Sequence, residues 1–217
     1  MIRAALFAAA LLCNETTGLF RYPQDDEKGF ERIFDGESLK GLKFFAKGDP
    51  TGIWRAEGGV LQCSGDLEGY CYTEKKFKDF TLRFDWKFVR PADLKDDSKF
   101  EGSAGYLLWV GDQHKIWPYS LECQGMNKQA GYIYAIDAKN KDKNKFTYDD
   151  KARAKAVKPV GEWNTYEIVA RKGSVVVSIN GVKVTTVSSH EFSEAGHVAF
   201  ASKGSEIHWR NIRIKPE

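Results

Sequence analysis

The sequence predicts an all-β chain in which two antiparallel sheets pack face to face as one sandwich domain. Short alternations of apolar and polar residues, separated by Gly, Asn and Asp, recur along its length. Glycine is abundant (20) and proline scarce (6), which suits many tight turns. Beyond the N-terminal segment no stretch of about ten residues keeps a helical apolar stripe. Sheets with one apolar face hide it by packing on each other.

The strands follow in order. Val60–Cys63 is short and alternating. Phe80–Phe88 is the cleanest: Phe80, Leu82, Phe84, Trp86 and Phe88 share one face, and Thr81, Arg83, Asp85 and Lys87 the other. Gly105–Val110, Tyr119–Gln124 and Gly131–Ile136 read as further strands. Trp163–Arg171 and Ser174–Ile179 form a hairpin over Lys172-Gly173, and Asn180-Gly181 makes a type I′ turn into Val182–Val184. His197–Ser202 and Ile207–Ile214 complete the set. Residues 139–158 are charged and poor in apolar side chains, and read as a long loop, solvated or lying at a ligand-binding rim.

Met1-Ile2-Arg3 followed by the apolar run Ala4–Cys13 has the length of a signal-peptide core. Residues 1–18 are therefore expected to be an export signal, residues 19–217 one domain, and the location periplasmic or extracellular. A lipoprotein anchor at Cys13 is the lesser alternative, because Leu12 stands where a small residue belongs. No apolar run approaches the ~18 residues of a membrane span.

Lys+Arg 33 against Asp+Glu 30 leaves a net charge of +3 over 217 residues, too weak to suggest nucleic acid as a partner. The 42% apolar and 13% aromatic content excludes a disordered or collagen-like chain. Cys13, Cys63, Cys71 and Cys123 have no zinc-site spacing. Cys63 and Cys71 flank SGDLEGY, and a hairpin folded about Leu67 would set them opposite each other. In an oxidising compartment they would be bonded; otherwise they are buried thiols.

The strand Ser120-Leu121-Glu122-Cys123-Gln124 places Ser120, Glu122 and Gln124 on one face. Glu122 supplies one general base and Gln124 an amide for sugar hydroxyls. Gln124 cannot act as the second carboxylate of ordinary glycoside hydrolysis. Asp85 and Lys87 either line the same surface or form a cross-strand ion pair. Tyr106, Trp109, Trp117 and Tyr119 are near enough in sequence for some to cover sugar C–H surfaces while others enter the core. Of His114, His190, His197 and His208, His114 and His208 are the candidates for a ligating or catalytic role. Neither a nucleophile elbow nor a phosphate-cradling loop is present.

Seven strings carry a resemblance: IFDGESLKGL (33–42), WRAEGGVLQCSG (54–65), GYCYTEKKFKDFTLRFDWKF (69–88), WPYSLECQGM (117–126), KPVGEWNTYEIVARKG (158–173), INGVKV (179–184) and IHWRNIRIKP (207–216). With them the chain resembles the 3-keto-disaccharide hydrolase domain family from residue 30 to its end. The resemblance implies a concanavalin A-like jelly roll, a carbohydrate ligand and an exported protein. Glu122 and Gln124 match that family's E-x-Q pair on the concave sheet, and Arg210 its F-R-N-I arginine. Three places depart from the pattern: Ser103-Ala104-Gly105 stands for N-S-G, Trp109 for an arginine, and Lys203 for a glutamate.

The chemistry so implied suits one carboxylate. A ketone at C3 acidifies the C2 proton, so Glu122 could form an enolate and the C1 substituent could leave. Lys87, Lys203 or a bound divalent cation would stabilise the enolate. Gln124, Asp85, Trp109 and Arg210 complete the candidate substrate contacts. Two alternatives are a non-catalytic carbohydrate-binding module and an envelope protein whose concave face binds another protein, since the fold hosts either.

Overall fold

The computed structural model describes residues 27–217 except 140–144, 189–190 and 193. The expected export signal, Cys13 and His190 lie outside the described residues. The strands are β1 (Glu31–Arg32), β2 (Leu42–Ala46), β3 (Trp54–Glu57), β4 (Val60–Cys63), β5 (Gly69–Thr73), β6 (Phe80–Phe88), β7 (Ser103–Val110), β8 (Ser120–Gln124), β9 (Ile133–Ile136) and β10 (Lys145–Tyr148). After the helix α1 (Asp150–Ala156) come β11 (Asn164–Arg171), β12 (Ser174–Ile179), β13 (Val182–Ser188), β14 (His197–Lys203) and β15 (Ile207–Pro216).

They form the two antiparallel sheets expected. The larger runs β10-β13-β12-β11-β6-β15-β4-β3, with β1 pairing on β15; the smaller runs β2-β5-β14-β7-β8-β9. β6 lies at the centre of the larger sheet, and its five apolar residues are each no more than 1% exposed. They meet the inner face of the smaller sheet, where Phe84 packs 4.4 Å from Tyr106 and 5.2 Å from Phe200, ring centre to ring centre. Aromatic pairs of this kind add about 0.5–1.5 kcal/mol each beyond their buried area. Both hairpin turns come out as type I′: Lys172 and Gly173 have φ of 48° and 74°, Asn180 and Gly181 of 49° and 80°.

Two expectations are corrected. The described part of residues 139–158 is not a structureless loop. β10 adds an edge strand to β13, and α1 follows with the Asp149 carboxylate accepting from Ala152 N–H at its N-terminus. Four- and seven-residue elements are too short to show a period. Nor are Cys63 and Cys71 partners across a hairpin. The chain leaves the larger sheet after β4 and enters the smaller one at β5, and both thiols are buried and free. Burial pushes the Cys63 thiol up to about 11 and the Cys71 thiol well above its ordinary value.

Candidate functional site

Glu122 sits mid-strand on β8, level with Leu107 of β7 and Tyr134 of β9. Leu121 and Cys123 point into the core, so Glu122 points to the outer face of the smaller sheet. There its carboxyl lies over Gly105. A Cβ at residue 105 would fall 2.1 Å from Glu122 Oε1, so only glycine leaves the space. Gly105 and Ala201 floor a small, open pocket; Ile116 and Trp117 wall it, and Glu68 and Lys203 stand at its rim. Lys203 Nζ is 3.0 Å from Glu68 Oε1. Trp117 is 49% exposed, a large apolar surface left open.

Glu122 is 8% exposed, and among the described residues no hydrogen bond or ion pair reaches its carboxyl. Burial alone raises it to about 7. A carboxylate poised there is able to take a proton at neutral pH. The same charge, after burial, contributes to raising the Tyr134 phenol, whose hydroxyl donates to Gln129 Oε1 at 3.0 Å. Gln124 shares the strand face with Glu122. Its Oε1 accepts from Met126 N–H at 2.8 Å, which leaves the amide nitrogen as its donor.

The remaining sequence candidates lie elsewhere. Asp85 and Lys87 belong to β6 and Arg210 to β15, so all three face outward from the larger sheet, across the sandwich from Glu122. Asp85 accepts from Thr165 Oγ1 at 2.8 Å, Asn211 Nδ2 at 2.6 Å and Arg210 Nε at 3.2 Å. Lys87 and Arg210 stand over the Trp163 ring at 5.0 and 4.1 Å. Alternation tells which residues of a strand share a face, not which sheet the strand joins.

Trp109 is corrected too. Its φ of 60° marks a bulge at which the β14–β7 register shifts, so Trp109 turns into the core and Val110 turns out. It is 4% exposed, and its indole donates to Lys78 O at 2.7 Å. Tyr106 is wholly core, and Tyr119 donates to Glu191 O. His208, on β15 of the larger sheet, pairs with Glu206 just ahead of that strand and so is not on the sheet that carries the pocket. His114 lies on the pocket's own sheet face, against Tyr72. Sequence reasoning missed Glu68, read only as part of a turn, and Gly105, whose role depends on its cross-strand neighbour. Among the described residues no three His, Cys, Asp or Glu side chains converge as metal ligands would.

A jelly roll with a carboxylate pocket on its smaller sheet is a carbohydrate-active, glycosyl hydrolase-like domain. The chain belongs to the family of 3-keto-alpha-glucoside-1,2-lyase-like domains, whose model matches residues 29–215. A relative, the 3-keto-disaccharide hydrolase of Bacteroides thetaiotaomicron, is 22% identical over 245 residues, covering 88% of this chain and 79% of that protein. A candidate glycosyl hydrolase from Parabacteroides distasonis shares the fold with a TM-score of 0.65 at 21% identity, over 91% of this chain and 98% of that one. The carbohydrate binding module CBM66 from Bacillus subtilis shares it with a TM-score of 0.55 at 11% identity, over 81% and 95%.

Proposed function

We propose that the chain cleaves the glycosidic bond of 3-keto-glycosides by base-initiated elimination in the Glu122 pocket. The observation that carries this reading is Glu122 itself: buried, unpartnered among the described residues, raised to about 7, and open to a pocket. The family's description as 1,2-lyase-like and the relative's activity on 3-keto-disaccharides supply the substrate class.

Glu122 takes the C2 proton, and the C–H electron pair moves into C2=C3, leaving negative charge on the C3 oxygen. The Lys203 ammonium at the rim offsets that charge. The enolate then reforms C3=O, the pair shifts to C1=C2, and the C1–O bond breaks. The departing oxygen takes a proton from Glu122 or Lys203. Water added across C1=C2 gives the free 3-keto sugar. Trp117 provides an apolar surface for the sugar's C–H face, and Glu68 holds Lys203. Gln124 is not among the pocket's lining residues; from the same strand face it offers its amide nitrogen to a hydroxyl reaching beyond the pocket. Asp85, Lys87, Trp109 and Arg210 have no part in these steps, and none is routed through a metal.

The test incubates the protein with a chromogenic 3-keto-glucoside and its parent glucoside, with and without a chelator. Release from the keto sugar alone, lost in Glu122→Gln, is the expected result. Release that persists in that variant removes Glu122 as the base. Dependence on divalent cation would add a metal to the pocket. Saturable binding without release would make the domain a binding module.

A further inference from the structure

We propose that His114 is a positioning residue: held by Tyr70, it latches residues 111–118 onto the smaller sheet and so fixes Trp117 as a wall of the Glu122 pocket. Its consequence for turnover rests on the reading of that pocket given above.

The outer face of the smaller sheet carries an apolar patch built from Tyr70, Leu107, Val110 and Ala199, with Phe45 and Tyr72 packed against it. The segment joining β7 to β8 crosses this patch, and His114 is the side chain it sets down there. The ring centre lies 4.2 Å from that of Tyr72, 6.0 Å from Phe45 and 6.1 Å from Tyr70. The hydroxyl of the fully buried Tyr70 is 3.1 Å from His114 Nδ1. The Lys115 backbone N–H addresses the same phenol oxygen, and the latch gives the hydroxyl hydrogen to Nδ1. In this arrangement the latched ring is the neutral tautomer with its proton on Nε2. Other ties of the segment are the Lys115 backbone N–H on the Tyr70 oxygen, a long contact of 3.4 Å between Asp112 and the buried His197, and the exposed ion pairs Lys115 to Asp137 and Asp112 to Lys76, which are of little strength. Three residues after His114, Trp117 reaches the pocket.

A latch that requires neutral histidine opens in acid. The ring faces Tyr70 and Tyr72 from β5, His197 from β14, Asp112 from its own segment and Lys76 from the β5–β6 connection. Burial first, then His197 and Lys76, hold its proton affinity below the ordinary 6.5, with Asp112 opposing. The latched state thus binds fewer protons than the released one. The latch is secure above about 6.5 and weakens as pH falls through the lower, latched value.

The test uses the full chain without sugar, so it succeeds or fails independently of the role given to Glu122. The tryptophan emission of the protein minus that of Trp117→Phe is followed from about pH 8 to about 4.5. One red shift is expected, with its midpoint below 6.5. His114→Asn keeps an acceptor near the Nδ1 position but cannot gain a proton, and abolishes the shift. Tyr70→Phe removes the hydrogen bond accepted by the neutral ring, and moves the midpoint upward. No shift, a shift surviving in His114→Asn, or an unmoved midpoint in Tyr70→Phe overturns the latch. If His114→Asn does not fold, Tyr70→Phe decides alone.

Discussion

Gly105 lies beneath the Glu122 carboxyl, so close that any Cβ at residue 105 would stand 2.1 Å from Glu122 Oε1. The atom in the way is the far end of a flexible side chain, not backbone. Gly105→Ala is therefore expected to cost little stability but to push the carboxyl from its place. A displacement of about 1 Å in a reacting group costs on the order of 100-fold in rate. The check is kcat on a 3-keto-glucoside beside a urea melt: a large fall in kcat with a small change in midpoint. A variant of unchanged rate would mean that the carboxyl position over Gly105 is immaterial.

Glu122 also has a signature in stability. Its folded value, about 7, stands above the ordinary 4.5, so the folded state holds the proton more tightly than the unfolded chain. Its contribution is fully present below pH 4.5 and is lost as pH rises through about 7. The shift corresponds to up to about 3 kcal/mol. Relative to Glu122→Gln, the native chain should therefore lose stability between about pH 4.5 and 8, measured by urea denaturation across that range. Parallel pH profiles of the two proteins would mean that the carboxyl is solvated rather than buried.

Across the sandwich, Asp85 anchors the β6–β15–β11 surface through Thr165, Arg210 and Asn211. Asp85→Ala strands three donors and should cost about 1–3 kcal/mol. Lys87→Ala removes only a cation from the exposed side of Trp163 and should be near neutral. Both should leave KM for the sugar unchanged, because neither faces the pocket. A rise in KM in Lys87→Ala would bring the larger sheet's outer face into substrate binding.

How much of this was legible in the sequence differs from element to element. Phe80–Phe88 and Ser174–Ile179 were readable to the residue, because strict alternation or a two-residue turn fixes both ends. Glu122 and Gln124 were readable as one face of a strand. Asp85 and Lys87 could not be assigned to a sheet, because strand pairing across long separations leaves no local trace. The Glu68–Lys203 rim pair joins a turn to a strand 135 positions away. Trp109 was misread because alternation assumes extended backbone, and a single left-handed residue reverses it.

That bulge has its own test. Gly196 faces Trp109 so closely that a Cβ would meet the Trp109 carbonyl carbon at 2.3 Å and its Cα at 2.5 Å. Unlike Glu122 over Gly105, the obstacle here is backbone, pinned by the indole hydrogen bond to Lys78 O and by stacking on Phe192 at 6.3 Å. Neither strand can yield without breaking the β14–β7 ladder or the Phe77–Gly196 bridge. Gly196→Ala should therefore cost about 1–3 kcal/mol or more, seen as a lowered urea midpoint at unchanged slope. Because β7 and β14 also carry Gly105, Ala201 and Lys203, the surviving folded protein should show a weakened sugar affinity as well. A Gly196→Ala variant as stable as the native chain would mean that the bulge at Trp109 is absent in solution, returning Trp109 to the outer face beside the pocket.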